Sequence, residues 1–140
     1  MLLSRRNICQ LVPLLAGSSA LAFAQQQLGT TIAPFDTLPV RKSGSNSFRK
    51  ILEGETYSGA HIEVHETTLG PGSSPHPHHH HVHEEMFLLS KGTLELTIQG
   101  KTTVIGPGSA AYVHSNEEHS VRNPGTEDTQ YFVLELGKEA

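Results

Sequence analysis

From residue 61 onward the chain is cut at short, even intervals by glycine and proline, at Gly70-Pro71-Gly72, Lys91-Gly92, Gln99-Gly100, Gly106-Pro107-Gly108 and Asn123-Pro124-Gly125. Between these stops lie HIEVHETTL (61–69), EMFLLS (85–90), TLELTIQ (93–99), TTVI (102–105), SAAYV (109–113), HSVRN (119–123) and QYFVLEL (130–136). Segments of four to nine residues, rich in β-branched and aromatic side chains and ended by turn formers, predict short antiparallel strands in a sandwich or barrel. TLELTIQ shows the period most clearly. Leu94, Leu96 and Ile98 alternate with Thr93, Glu95 and Thr97, giving one apolar face and one wet face. No stretch of residues 25–140 carries a convincing amphipathic helical pattern.

Two segments precede this block. Residues 1–24 combine Arg5 and Arg6 with the apolar run LVPLLAGSSALAFA and the small residues Ala22-Phe23-Ala24, and no acidic residue occurs before Asp36. This is the pattern of a cleavable export signal. The run is too short to span a hydrocarbon core of roughly 30 Å at about 1.5 Å per residue, so no stable membrane anchor is expected after cleavage. The Arg5-Arg6 pair is similar to a twin-arginine signal, although Ile8, Cys9 and Gln10 depart from its usual residues. Export to the periplasm or the exterior is the expectation. Residues 25–47 are polar and broken by Gly29, Pro34, Pro39 and Gly44, and read as an extended N-terminal arm leading into one domain over 48–137.

The charge balance and the single Cys9 close off several chemistries. Removing Arg5 and Arg6 takes two positive charges from a formal net charge of −4 and leaves eight basic residues against fourteen acidic ones, without a Lys/Arg cluster. Nucleic-acid binding is therefore not expected. Cys9 lies in the signal, so residues 25–140 have no thiol for a disulfide, a thiolate nucleophile or a metal ligand.

The densest chemistry is SSPHPHHHHVHEEMF (73–87), where six of the eight positions from His76 to His83 are histidine. Only four are contiguous and they lie between two predicted strands, which is unlike an expression tag. A loose histidine tract is the plain alternative. In an extended chain, residues two apart share a face and two imidazoles can share an ion. Counted back from Glu85, His83, His81 and His79 share its parity, whereas His80, His78 and His76 have the other and could join Glu85 only through a bulge.

HHHVHEEMFLLSKG, followed about thirty residues later by GPGSAAYVHSNEEHSVRN, resembles the two motifs of the cupin family. Glu85 and Gly92 are separated by six residues, His79-x-His81 stands three residues before Glu85, and His119 stands three before Asn123. The resemblance covers about residues 60–137. It implies an all-β fold, a small antiparallel jelly-roll β-barrel, holding one divalent transition metal ion (Fe, Mn, Ni, Zn or Cu) on His79, His81, Glu85 and His119. The spacing from Gly72 suits His78 and His80 instead, so that register stands as the alternative. His76, His78, His80 and His83 are expected at the pocket rim, beside the ligands or in an exposed loop. Glu84 is expected to face outward. His61 and His65 lie on a predicted strand without an assigned partner. Tyr112, Tyr131 and Phe132 are expected in the core or the pocket wall.

Three imidazoles and a carboxylate leave positions open on an ion that commonly takes five or six ligands. By family analogy the expected activity is dioxygenase-type chemistry on a small oxygenated organic substrate. The alternatives are a non-redox isomerase or lyase, and a protein that only binds metal or a small ligand. The resemblance also implies a homodimer.

Overall fold

A computed structural model describes residues 27–137, so the export reading of residues 1–24 lies outside the described residues. The chain forms a 3₁₀ turn (Phe35–Thr37) and nine strands: β1 (Arg41–Ser43), β2 (Asn46–Glu55), β3 (His61–Leu69), β4 (Glu84–Lys91), β5 (Leu94–Ile98), β6 (Lys101–Ile105), β7 (Ala110–Val113), β8 (His119–Arg122) and β9 (Thr129–Gly137). One sheet runs β1-β2-β3-β9-β4-β7 and a smaller one runs β6-β5-β8, with every named pairing antiparallel. The architecture is the expected all-β jelly-roll barrel.

The seven segments read from the sequence correspond to β3 through β9, with ends moved by a residue or two. β1 and β2 lie beyond that reading. β2 is ten residues long, but a bulge between Lys50 and Leu52 breaks its alternation, so Phe48 and Leu52 do not belong to one unbroken period of two. The arm adds strand β1 to the edge of the large sheet, and its 3₁₀ turn sets Phe35 against Phe132, with the Arg49 guanidinium 4.1 Å above the Phe35 ring.

Two turns explain their glycines. Gln99 and Gly100 both have positive φ, 49° and 75°, the backbone of a tight two-residue hairpin joining β5 to β6. Gly92 has φ +78°, and a Cβ there would stand 2.6 Å from Thr129 Oγ1 and 2.9 Å from the Asp128 carbonyl. No other residue type fits that turn without movement.

The inner rows are graded along the barrel. Leu89 and Phe87 on β4, Tyr131 and Val133 on β9, Leu94 and Leu96 on β5, and Val121 on β8 form the core with Leu69 and Val113. Continuing the same inward parity along β4, β9, β3 and β8 brings Glu85, Glu135, Glu63, His65 and His119 to the opposite end. One end of the barrel is packed hydrocarbon and the other is ionisable. Outside, Met86 and Leu88 on β4, Tyr112 on β7 and Leu136 on β9 form an exposed apolar face, with Met86 paired across the ladders with Tyr112 and Leu134. Tyr112, expected in the core or pocket wall, is 52% exposed there, because its position on β7 points it away from the neighbouring sheet. Among the described residues no helix is long and apolar enough to cross a membrane.

Candidate metal centre

The histidine loop enters the barrel as an added strand. His79 and His119 face each other as an antiparallel pair: the His79 N–H donates to the His119 carbonyl at 3.1 Å and the His119 N–H to the His79 carbonyl at 2.9 Å. On either side, Asn116 N–H donates to the His81 carbonyl (2.7 Å), and Asn123 N–H to the Ser73 carbonyl (2.9 Å). Backbone hydrogen bonds thus tie the loop to segments 35 to 50 residues further along the chain.

This pairing turns the odd-numbered histidines inward. The rings of His79 and His119 are 4.4 Å apart, and His119 Nε2 touches Glu85 Oε2. Glu85 is 6% exposed and His119 2%. The ligand atoms of His79, Glu85 and His119 lie within 4.8 Å of one another. His81 is 4.4 Å from His79, ring to ring, but it stacks on His83 at 4.4 Å and its ligand atom groups with His83 and Glu85. His76 lies edge-on to His79 at 3.7 Å, at the cavity mouth. His78 and His80, the alternative pair, are exposed; His78 meets Ser120 Oγ at 3.3 Å and Glu118 at 3.6 Å on the outer surface.

The second ring nitrogens prepare the site for a cation. His79 Nδ1 lies 3.1 Å from the Pro77 carbonyl and His119 Nδ1 3.0 Å from the Glu117 carbonyl. A carbonyl can only accept, so both Nδ1 atoms carry hydrogen, and in each neutral ring the lone pair is on Nε2. The His79 Nε2 atom is buried and has no hydrogen-bond partner. A buried lone pair without a donor is costly, and a metal ion satisfies it. The residues therefore fit the group that the fold implies, with the carbonyl partners fixing ring orientation.

Electrostatics agree. Burial, then repulsion from His76, His119 and His81, lowers the His79 pKa to about 4, so this imidazole is uncharged at neutral pH. Burial also lowers His81, against the pull of Glu85. For Glu85, burial pushes upward but is outweighed by the His119 hydrogen bond and the positive field of His119, His81 and His83, leaving it below the usual carboxylate range. For His119, burial pulls downward but Glu85 and the Glu117 carbonyl raise it above the usual imidazole value. His119 Nε2 and Glu85 Oε2 stand in direct contact, at the point both would share with a cation.

A cavity of about 280 Å³ opens beside these residues. Its far wall, on β3 and β9, holds groups with no role assigned from the sequence. His65 Nδ1 stands 3.3 Å from Glu63 Oε1, Lys50 Nζ stands 2.9 Å from Glu63 Oε2, and His65 Nδ1 is 4.0 Å from Glu135 Oε1. The His65 ring packs on Phe48 at 4.7 Å. Burial lowers its pKa despite Glu63, so it too is neutral at pH 7. Shared parity of Glu63 and His65 with the inward Thr67 was the available signal, but Glu135 is seventy residues away in sequence.

The family described as the cupin domain matches residues 65–135, half of the chain and both halves of the ligand cluster. The chain belongs to the cupin family. Solved cupin-fold structures are similar over most of its length. KdgF from Halomonas is 12% identical with a TM-score of 0.69, covering 79% of this chain and 96% of that one. The polyketide cyclase RemF from Streptomyces resistomycificus is 18% identical with a TM-score of 0.62, covering 79% and 82%. A sugar phosphate isomerase of the cupin superfamily from Silicibacter pomeroyi is 15% identical with a TM-score of 0.63, covering 77% and 76%. At these identities the likeness establishes the fold. No curated protein matches this cupin.

Proposed function

We propose that this cupin is a metal-dependent enzyme acting on a small oxygenated organic molecule, with His79, His81, Glu85 and His119 holding one divalent transition metal ion and His65 moving a proton. The observation that carries the reading is the pair Glu63 and His65 on the wall of the same cavity, with the exposed Lys50 behind Glu63. It presents an uncharged imidazole packed on Phe48 beside a carboxylate, which an ammonium holds in turn. The metal, when bound, supplies Lewis acidity to a carbonyl or hydroxyl oxygen of the substrate. With Nδ1 3.3 Å from Glu63 Oε1, His65 accepts a proton through Nε2 from the carbon or hydroxyl beside that oxygen. Glu63 stabilises the imidazolium that forms, and Lys50 Nζ, 2.9 Å from Glu63 Oε2, holds that carboxylate in place. Phe87, Val121 and Val133 give the cavity an apolar wall beside these charges. A cyclase and an isomerase among the structural neighbours support a reaction of this non-redox kind.

The dioxygenase-type reaction implied by the sequence resemblance uses the same metal but consumes oxygen, which the non-redox reaction does not, so oxygen uptake is the discriminator. Metal-loaded wild type and His65→Gln are compared on sugar phosphates, hydroxyketones and β-diketones, with oxygen uptake followed on catechols, flavonols and diketones. The expected result is a loss of about 10²- to 10⁴-fold in kcat with unchanged metal content. Oxygen-consuming turnover indifferent to His65→Gln assigns the chain to the dioxygenase class instead. We also propose that the cupin works as a homodimer through its apolar outer face.

A further inference from the structure

Three carboxylates share one row of the large sheet. Glu63 on β3 is directly opposite Glu135 on β9, and Glu135 is directly opposite Glu85 on β4. Like charges placed opposite each other destabilise a sheet, and this row lies on the inner face of the ionisable end of the barrel. Basic side chains stand at both ends, Lys50 on Glu63 Oε2 and His119 on Glu85 Oε2. The inner oxygens converge elsewhere. His83 Nε2 lies 3.5 Å from Glu135 Oε2 and 3.8 Å from Glu85 Oε1, is buried, and makes no hydrogen bond.

The two oxygens of Glu85 therefore face two different histidine groups. Oε2 meets His119, beside His79; Oε1 faces His83, on which the His81 ring lies nearly parallel, at 17°. The ligand atoms of His81, His83 and Glu85 form a second set within 4.8 Å of one another. Two imidazoles and a carboxylate, with Glu135 Oε2 3.5 Å from His83 Nε2, are a donor set for a borderline divalent cation. Bridged two-metal sites hold ions about 3.5–4 Å apart.

We propose a second divalent-cation position next to the first, held by His81, His83 and Glu135 and bridged to the first through Glu85. The proposal rests on the single-ion reading above and extends it. With both positions filled, His81 turns its ring out of the stack to serve the second ion, its ligand atom already within 4.8 Å of those of His83 and Glu85, and the first keeps His79, His119 and Glu85 Oε2. The second position lies nearer the solvent and holds its ion more weakly.

The test uses untagged protein, stripped of metal and titrated with Mn(II), reading bound ions per chain and the electron paramagnetic resonance signal. Wild type is expected to bind two Mn(II) per chain, the second at least about tenfold more weakly, with an exchange-coupled signal when both are bound. His83→Ala and Glu135→Gln are expected to bind one ion with an uncoupled six-line signal; retention of that ion also shows that each variant is folded. The triple variant of the exposed His76, His78 and His80 to alanine is expected to keep both. Wild type saturating at one ion, a coupled pair persisting in both single variants, or loss of the second ion in the triple variant overturns the proposal. The single-ion reading fails on a different result, a His119→Ala protein that keeps its tight ion.

Discussion

Individual atoms decide what this site can bind. His79 and His119 each commit Nδ1–H to a main-chain carbonyl, so their Nε2 atoms are left to meet Glu85 and the cavity. The two rings titrate in opposite senses. His79 is lowered to about 4, by burial first and then by its neighbouring imidazoles. His119 is raised, because Glu85 and the Glu117 carbonyl outweigh its burial. A metal ion must displace the His119 proton, while His79 needs no deprotonation above pH 4. Metal affinity is therefore expected to be constant above the raised His119 value and to fall about tenfold per pH unit below it, starting higher than the ordinary imidazole value near 6.5. Titrations at several pH values, with proton release read from buffer-dependent calorimetry, check this. An affinity independent of pH between 5 and 8 would sink it.

At the scale of elements, the site is a loop held as a strand. Asn123, wholly buried, donates through Nδ2 to the Leu69 carbonyl (2.9 Å) and the Glu127 carbonyl (2.7 Å) and accepts from Gly125 N–H (2.9 Å). Its main chain also bonds Ser73 and Gly72 at the start of the histidine loop. One side chain thus ties together the ends of β3 and β8 and the entrance to β9. Asn123→Ala leaves buried carbonyls without donors, and a loss of about 3 kcal/mol is expected at roughly 1–3 kcal/mol per unsatisfied group. Urea unfolding measures it, and weakened metal binding should accompany it, since His119 follows the same strand. Unchanged stability in Asn123→Ala would show that this tie is dispensable. The sequence motif marks Asn123 by its distance from His119; its hydrogen bonds give that spacing a physical cause. Gly92 is a parallel case, marked by its distance from Glu85 and explained by a positive φ against Thr129. Strand β2 was not legible, because its bulge interrupts the alternation that reveals a strand.

For the whole molecule, the grading of the barrel separates stability from chemistry. Leu69, Leu94, Phe87 and Tyr131 close one end, and the ionisable groups are confined to the other, so site variants can change charge without opening the core. The outer face of the large sheet carries a different burden. Met86, Leu88, Tyr112 and Leu136 leave a continuous apolar surface in water, of the kind that a partner covers. If two copies meet there, Leu88→Lys, which removes one apolar contact per copy and adds like charges across the interface, should weaken the dimer at least about tenfold. Sedimentation of wild type and variant at several concentrations checks it; a wild type that sediments as a monomer refutes the dimer.

Local order was readable without coordinates. Turn residues at short intervals and alternation within TLELTIQ determine an all-β chain, since both depend on neighbours one to four residues apart. The parity of His79, His81 and Glu85 is likewise a local property of extended backbone. Tertiary structure alone decided the rest. It pairs His79 with His119, stacks His81 on His83, and aligns Glu63, Glu135 and Glu85 across three strands. Those contacts are set by strand register between segments up to seventy residues apart, and register is fixed by the packing of the whole barrel rather than by any one segment.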